Sequence, residues 1–257
     1  MNQTVKLGDR EVTRVGLGTN RLTHTRANAD FIAAAIAAGV QMIDTAHLYT
    51  GGDSEKTIGE ATSGKPGARL IATKGGFGGA GRGKPDVLRA EIEQSLRSLR
   101  TDAIDLYYLH RVDPETPIEE SLAEIKAHRD AGEIRLVGVS NVSIDEIERA
   151  RKVVPVAAVQ NRYNIAERGD DNVIDYCTQE GIVFVPFFPL RAEASAEVRE
   201  VATRHKATPQ QVMLAWLLRR SPIMLPIPGT LSLEHLKQNL AASKIELSDA
   251  EFRSLGG

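Results

Sequence analysis

Residues 104–140, IDLYYLHRVDPETPIEESLAEIKAHRDAGEIRLVGVS, hold the alternation on which the fold turns. Ile104 to His110 is a short run of apolar, β-branched and aromatic residues, the composition of a buried strand. A polar turn follows. Pro117 then stands where a helix opens, because its missing N–H costs nothing in a first turn. Ile118, Leu122 and Ile125 fall on one helical face and Gly132 ends the run, which describes a surface helix packed on a sheet. Ile134 to Ser140 is a second strand-like run. Strand, helix, strand is the pattern of a parallel sheet in an α/β protein.

The same unit recurs in both directions. Strands are expected at Val15 to Gly18, Met42 to Thr45, Arg69 to Lys74, Ala157 to Gln160, Ile182 to Phe187 and Met224 to Ile227. With the two above they make eight, the number that closes a (β/α)8 TIM barrel. Asp53 or Ser54 before EKTIGEA offers a helix N-cap, and Pro209 opens the strongly apolar helix of TPQQVMLAWLLRRS. Ahead of the barrel, VKLGDREVTRV reads as a β-hairpin turning at Gly8-Asp9, a lid over the barrel bottom. No linker, low-complexity tract or charge block divides the chain, so one domain is expected over residues 1–257.

Composition narrows the partners. The 257 residues are 42% hydrophobic and 26% charged with a formal net charge of -2, the balance of an ordinary globular domain, with no basic excess for nucleic acid or an anionic membrane. Cys177 is the single cysteine, so no intrachain disulfide forms and a reducing compartment is expected. The N-terminus has no long apolar run, and no segment approaches the ~20 apolar residues of a membrane helix. A cytoplasmic monomer without a bound metal is expected.

The run GGFGGAGRGK contains two phosphate-loop lookalikes, G-x-G-x-x-G at Gly76, Gly78 and Gly81, and G-x-x-x-x-G-K from Gly78 to Lys84. Both fail mechanically. The next helix can hardly start before Pro85, too late to receive a pyrophosphate, and Pro85 has no hydroxyl for a metal. A mobile loop bordering the substrate entrance is expected.

Four strand ends or loops deliver Asp44, Tyr49, Lys74 and His110 to one mouth, the C-terminal face where barrel residues act chemically. The set suits proton donation to a carbonyl oxygen as hydride reaches carbon. A phenol with a pKa near 10 exchanges protons poorly at neutral pH, but an ammonium about 4 Å away stabilises the phenolate by ~4 kcal/mol. Lys74 is therefore expected to lower the Tyr49 pKa. Asp44 would hold that ammonium charged, and His110 would bond the carbonyl oxygen. Singly, each has a structural reading: a turn cap, a packed ring, a solvated strand end, a satisfied core histidine. Their joint placement argues for chemistry. His47, beside Tyr49, is a second candidate acid whose loop position favours a surface role.

The sequence resembles the aldo-keto reductase superfamily from VGLGTNRL at Val15 to HLKQNLAAS ending at Ser243. The similarity rests on IDTAHLYTGGDSEKTIGEA, LIATKGG and SLRSLRTDAIDLYYLHRVDP, followed in order by VGVSN, VQNRYN, VPFFPL and PIPGT. It implies that Asp44, Tyr49, Lys74 and His110 are a catalytic tetrad and that the cofactor is NADP(H), with NAD(H) not excluded. It further implies that Ser140, Asn141 and Gln160 bond the nicotinamide carboxamide while Phe187 stacks on its ring. Gly18, Thr19, Pro189 and Leu190 are implied cofactor contacts too. Ile227, Pro228, Gly229 and Thr230 with the following helix are placed at the phosphates, Asn239 near adenine, and Gln238 among the cofactor contacts.

Leu231, Ser232 and Leu233 stand where the family often carries Arg or Lys for the 2′-phosphate, leaving Lys237 or Arg191 as substitutes. The chain ends soon after its last helix, at LSDAEFRSLGG, so an open, permissive pocket is expected. PFFPL resembles bacterial relatives of pyridoxal reductases, which makes pyridoxal-like aromatic aldehydes one substrate class. The alternatives are a Schiff-base lyase barrel using Lys74 and a catalytically weak cofactor-binding regulatory protein on the same fold.

Overall fold

In the computed structural model, which describes residues 3–64 and 69–257, the chain begins with two short antiparallel strands, β1 (Thr4–Leu7) and β2 (Arg10–Thr13). Leu7 lies opposite Arg10, so the reversal falls on Gly8 and Asp9. Gly8 sits at φ 65, where a side chain is strained and glycine is not.

Strands and helices then alternate. The order is β3 (Leu17–Gly18), α1 (Arg26–Ala37), β4 (Met42–Asp44), α2 (Asp53–Thr62), β5 (Leu70–Gly75), α3 (Pro85–Leu99), β6 (Ile104–Leu109) and α4 (Ile118–Asp130). Next come β7 (Ile134–Ser140), α5 (Ile144–Val153), β8 (Val156–Gln160), α6 (Asp171–Glu180) and β9 (Val183–Phe184). The helices α7 (Ala196–Arg204), α8 (Pro209–Arg220), α9 (Leu233–Ala241) and α10 (Asp249–Ser254) complete the chain. β3 to β9 form one seven-stranded sheet in chain order, every pair parallel.

Met224 to Ile227, expected as an eighth strand, is not a strand. Pro222, Pro226 and Pro228 have no N–H to give a ladder, so only isolated parallel bridges remain, Phe184 with Met224 and Gly18 with Gly229. Hydrogen bonds still run from this segment to both edges of the sheet: Leu225 N–H to Phe184 O at 2.9 Å, and Gly16 N–H to Pro226 O at 3.0 Å. The sheet is thereby curled into an α/β barrel-like fold. Pro186 likewise cuts the strand expected over Ile182 to Phe187 down to Val183–Phe184. Helix starts follow the local chemistry with one exception. Pro85 and Pro209 occupy first turns, and Thr208 and Gln211 form a capping box at α8. The cap of α2 is Gly52 in a left-handed conformation, not Asp53 or Ser54.

Side chains alternate across the strands into two cores. Tyr107 faces the outer core between sheet and helices, with Ile43, Ile92, Val139, Phe184 and Trp216. Tyr108 faces the inner one, with Met42, Leu70, Leu106, Val183 and Leu225. Val5, Leu7 and Val12 of the β1–β2 pair join the inner core, so that pair covers one end and leaves the C-terminal strand ends as the open face.

Candidate active site

Asp44 is the last residue of β4, Lys74 the next-to-last of β5, and His110 the first residue after β6. Tyr49 begins a single helical turn at Tyr49–Gly52 in the loop after β4. That turn is held from several sides. Thr50, Gly51 and Gly52 take φ values of 50, 67 and 90 in succession, and the Thr50 hydroxyl donates to Leu22 O at 2.7 Å. His47 N–H donates to Lys74 O at 3.0 Å. Below it the buried hydroxyls of Thr19, Ser54 and Thr45 are linked at 2.9 and 2.7 Å.

The Lys74 ammonium spends its three donors on Asp44 Oδ1 at 2.6 Å, Thr45 O at 2.7 Å and Tyr49 Oη at 3.4 Å. Gln160 Nε2 donates to the other Asp44 oxygen at 2.8 Å. Lys74 is 0% and Asp44 2% exposed, so solvent does not screen the pair. Burial works against the ammonium, but Asp44 with Tyr49 outweighs it and holds Lys74 above its ordinary pKa. The His110 ring stands edge-on to Tyr49 at 6.1 Å between centroids. Burial, with Lys74 and Arg111 nearby, drives the His110 pKa down to about 2, so its imidazole is neutral.

One sequence expectation reverses here. The Tyr49 pKa is raised, not lowered: burial favours the neutral phenol, and the Asp44 charge adds to burial, so Lys74 is outweighed. His47, the second candidate acid, is half-buried. Its Nε2 faces Glu91 at 3.9 Å, and it does not line the cavity between Tyr49 and His110.

That cavity measures about 410 Å³. Gly18, Thr19, Ile227 and Gly229 border it on one side; Ser140, Asn141, Gln160, Phe187 and Pro189 border it on another. Leu190, Pro228, Thr230, Gln238 and Asn239 are outside its lining. Asn141, at φ 57, donates from its side-chain amide to His110 O at 3.1 Å and Ser140 Oγ at 3.0 Å. Ser140 Oγ donates to Gln160 O at 2.7 Å. The bare backbone at Gly18 is required, since a Cβ there would lie 2.7 Å from Ile227 O. An aromatic face, a row of amide and hydroxyl groups and a glycine-lined wall fit a flat carboxamide-bearing ring. Lys237 lines a separate groove with Gly39 and Lys244, and Arg191 stacks over Phe188 at 4.9 Å. Among the described residues no cluster of His, Cys, Asp or Glu has metal-site geometry.

The glycine-rich loop, expected to be mobile, is tied at both ends. Glu91 of α3 accepts Gly76 N–H at 2.7 Å and pairs with Arg82; Asp113 accepts Gly83 N–H at 2.7 Å, and Ser121 Oγ donates to Gly83 O at 2.7 Å. The loop sets Phe77 on the His110 ring, 4.7 Å between centroids. Phe77, Leu48, Phe188 and Arg111 line the cavity, and sequence reasoning passed over all four as site residues. The available signals were the one aromatic among the glycines and the arginine next to His110.

The profile described as Aldo/keto reductase family matches residues 14–256. An uncharacterized oxidoreductase, C215.11c, of Schizosaccharomyces pombe is 38% identical over 98% of this chain and 88% of its own length. Pyridoxine 4-dehydrogenase of Escherichia coli K12 is 35% identical over 100% of this chain and 98% of its own. Among solved structures, the thermostable aldo-keto reductase Tm1743 in complex with the inhibitor epalrestat superposes with TM-score 0.90 at 33% identity, covering 98% of both chains. An aldo-keto reductase from Klebsiella pneumoniae in complex with NADPH gives TM-score 0.88 at 28% identity over 99% of this chain and 94% of that one. A parallel α/β barrel-like fold with its polar groups at the strand ends, matched over its whole length by oxidoreductases, defines an enzyme of the oxidoreductase class. The chain belongs to the aldo/keto reductase family.

Proposed function

We propose that the protein reduces aldehydes or ketones to alcohols with NADPH, Tyr49 acting as general acid, on a single barrel domain in which the bridged Met224 to Ile227 segment, though not a strand, fills the eighth place. The observation that carries this reading is the chain of contacts from Asp44 through Lys74 to the Tyr49 hydroxyl, at 2.6 and 3.4 Å, on the wall facing His110. The Klebsiella neighbour solved with NADPH supports the cofactor. Pyridoxine 4-dehydrogenase at 35% identity supports aromatic aldehydes of the pyridoxal kind as one substrate class.

Phe187, Ser140, Asn141 and Gln160 would hold the nicotinamide end. When bound, the cofactor supplies the hydride to the carbonyl carbon. Neutral His110 has one N–H to bond the carbonyl oxygen and fix its position. The Tyr49 hydroxyl, kept protonated by burial, donates its proton to that oxygen, and the Lys74 ammonium stabilises the phenolate left behind. Asp44 keeps the ammonium charged. A Schiff-base role for Lys74 is disfavoured, because its raised pKa and three occupied donors leave no free amine lone pair.

Tyr49→Phe is expected to lower kcat for 4-nitrobenzaldehyde by about 100-fold or more, the scale of general acid catalysis. NADPH binding, followed by fluorescence titration, is expected to persist. Wild-type protein that binds NADPH and reduces no aldehyde would instead favour the regulatory alternative.

A further inference from the structure

Among the described residues, three of the four exposed large hydrophobic side chains, Leu48, Phe77 and Phe188, line the cavity that holds Tyr49 and His110. Such a rim suits a flat apolar substrate body. The charges at the same mouth are one-sided. Asp44 is the sole carboxylate among the lining residues, and it is consumed by Lys74 and Gln160. The lining cations are Arg111 and Arg162.

These two arginines differ in what they already hold. Arg162 is gripped by Glu167 through Nε at 2.9 Å and a terminal nitrogen at 2.7 Å. Among the described residues Arg111 has no hydrogen bond or ion pair, and its guanidinium carbon lies 5.5 Å from the centre of the Phe77 ring. Asp113, two residues on, is unavailable to neutralise it, being committed to the N–H groups of Gly83 and Glu115 and to the Thr116 hydroxyl. Arg111 is thus a forked donor with no acid of its own, laid on an aromatic ring beside His110, the arrangement that receives a planar or tetrahedral oxyanion.

We propose that Arg111 is the specificity-determining residue of the pocket and selects aromatic aldehydes that carry an oxyanion, a carboxylate or a phosphate ester, away from the reacting carbonyl. The proposal rests on the reductase reading and names the substrate class of that site. Ring against Phe77, anion on Arg111 and carbonyl oxygen between Tyr49 and His110 fix the substrate at three places. Arg162 does not compete for the anion, because Glu167 cancels its charge.

The test compares 4-carboxybenzaldehyde, 4-formylphenyl phosphate and neutral 4-methylbenzaldehyde in NADPH oxidation. Wild-type kcat/KM is expected to favour at least one anionic aldehyde over the neutral one by about tenfold or more, the scale of one charged hydrogen bond. Arg111→Met is expected to collapse that ratio, chiefly through KM, with Arg111→Lys keeping part of it. The arm with the larger loss identifies carboxylate or phosphate as the group recognised. A wild-type ratio near one overturns the proposal, as does a ratio that survives Arg111→Met or that falls with Arg162→Met instead. No turnover of any of the three aldehydes overturns the reductase reading and this proposal together, whereas turnover without charge preference overturns this proposal alone.

Discussion

At the scale of single residues, the protons in the site are set by burial before they are set by neighbours. Tyr49 keeps its proton because desolvation and Asp44 together exceed the pull of Lys74, and His110 is kept neutral with its pKa at about 2. The pH dependence follows. In the proposed mechanism reduction needs protonated Tyr49, and a raised pKa moves the loss of that proton to higher pH than an ordinary tyrosine at about 10. Aldehyde reduction is therefore expected to hold level from about pH 6 to about pH 9 and fall only beyond pH ~10, with no limb from His110 in that range. A profile of kcat/KM against pH checks this; a limb near neutrality that disappears in His110→Gln would contradict the neutral assignment. The four polar residues were legible in the sequence because each stands at the end of a recognisable strand or in the loop after it. The direction of the Tyr49 shift was not, because it depends on how completely the barrel mouth is dried and on the distance to Asp44.

At the scale of elements, the glycine-rich loop shows what local reading misses. Residues 75–84 offer almost no side chains that hold a conformation, so the sequence reads as mobile. The restraint comes from acids on other elements, Glu91 on α3 and Asp113 after β6, each placed by a helix or strand whose own pattern was plain. Glu91→Ala is expected to leave the Gly76 N–H without its acceptor and to cost about 1–3 kcal/mol locally. Freed from that tie, the loop would release Phe77 from His110. Limited proteolysis within 76–84 should speed up, and KM for aldehydes should rise several-fold with little change in NADPH binding. Unaltered proteolysis and KM would mean that Asp113 and Ser121 suffice to hold the loop. The missing eighth strand has a local cause instead. Apolar Met224 to Ile227 has strand composition, but Pro226 inside it and Pro222 and Pro228 beside it remove the ladder donors, leaving bridges to β9 and β3.

At the scale of the whole molecule, the two ends of the sheet carry different duties, and that division was readable from strand direction alone. Every strand of a parallel sheet points its C-terminal end the same way, so the loops bearing Tyr49, Phe77, His110 and Asn141 gather at one face. The other end is closed by the β1–β2 pair, with Leu7 fully buried in the inner core beside Met42, Leu70 and Leu106. Packing at that floor serves stability, whereas chemistry in barrels of this kind belongs to the opposite face. Leu7→Ala is therefore expected to lower unfolding stability by about 2–5 kcal/mol, the transfer loss of the side chain plus the cavity it leaves. Denaturant titration would register this as an earlier midpoint with an unchanged slope, while kcat and KM of the folded variant stay at wild-type values. The opposite outcome, an unshifted midpoint with altered KM, would mean that the hairpin is coupled to the substrate face through the inner core. The continuous contacts from Val5 and Leu7 to Ile227, which itself borders the cavity, give that coupling a physical route to be tested.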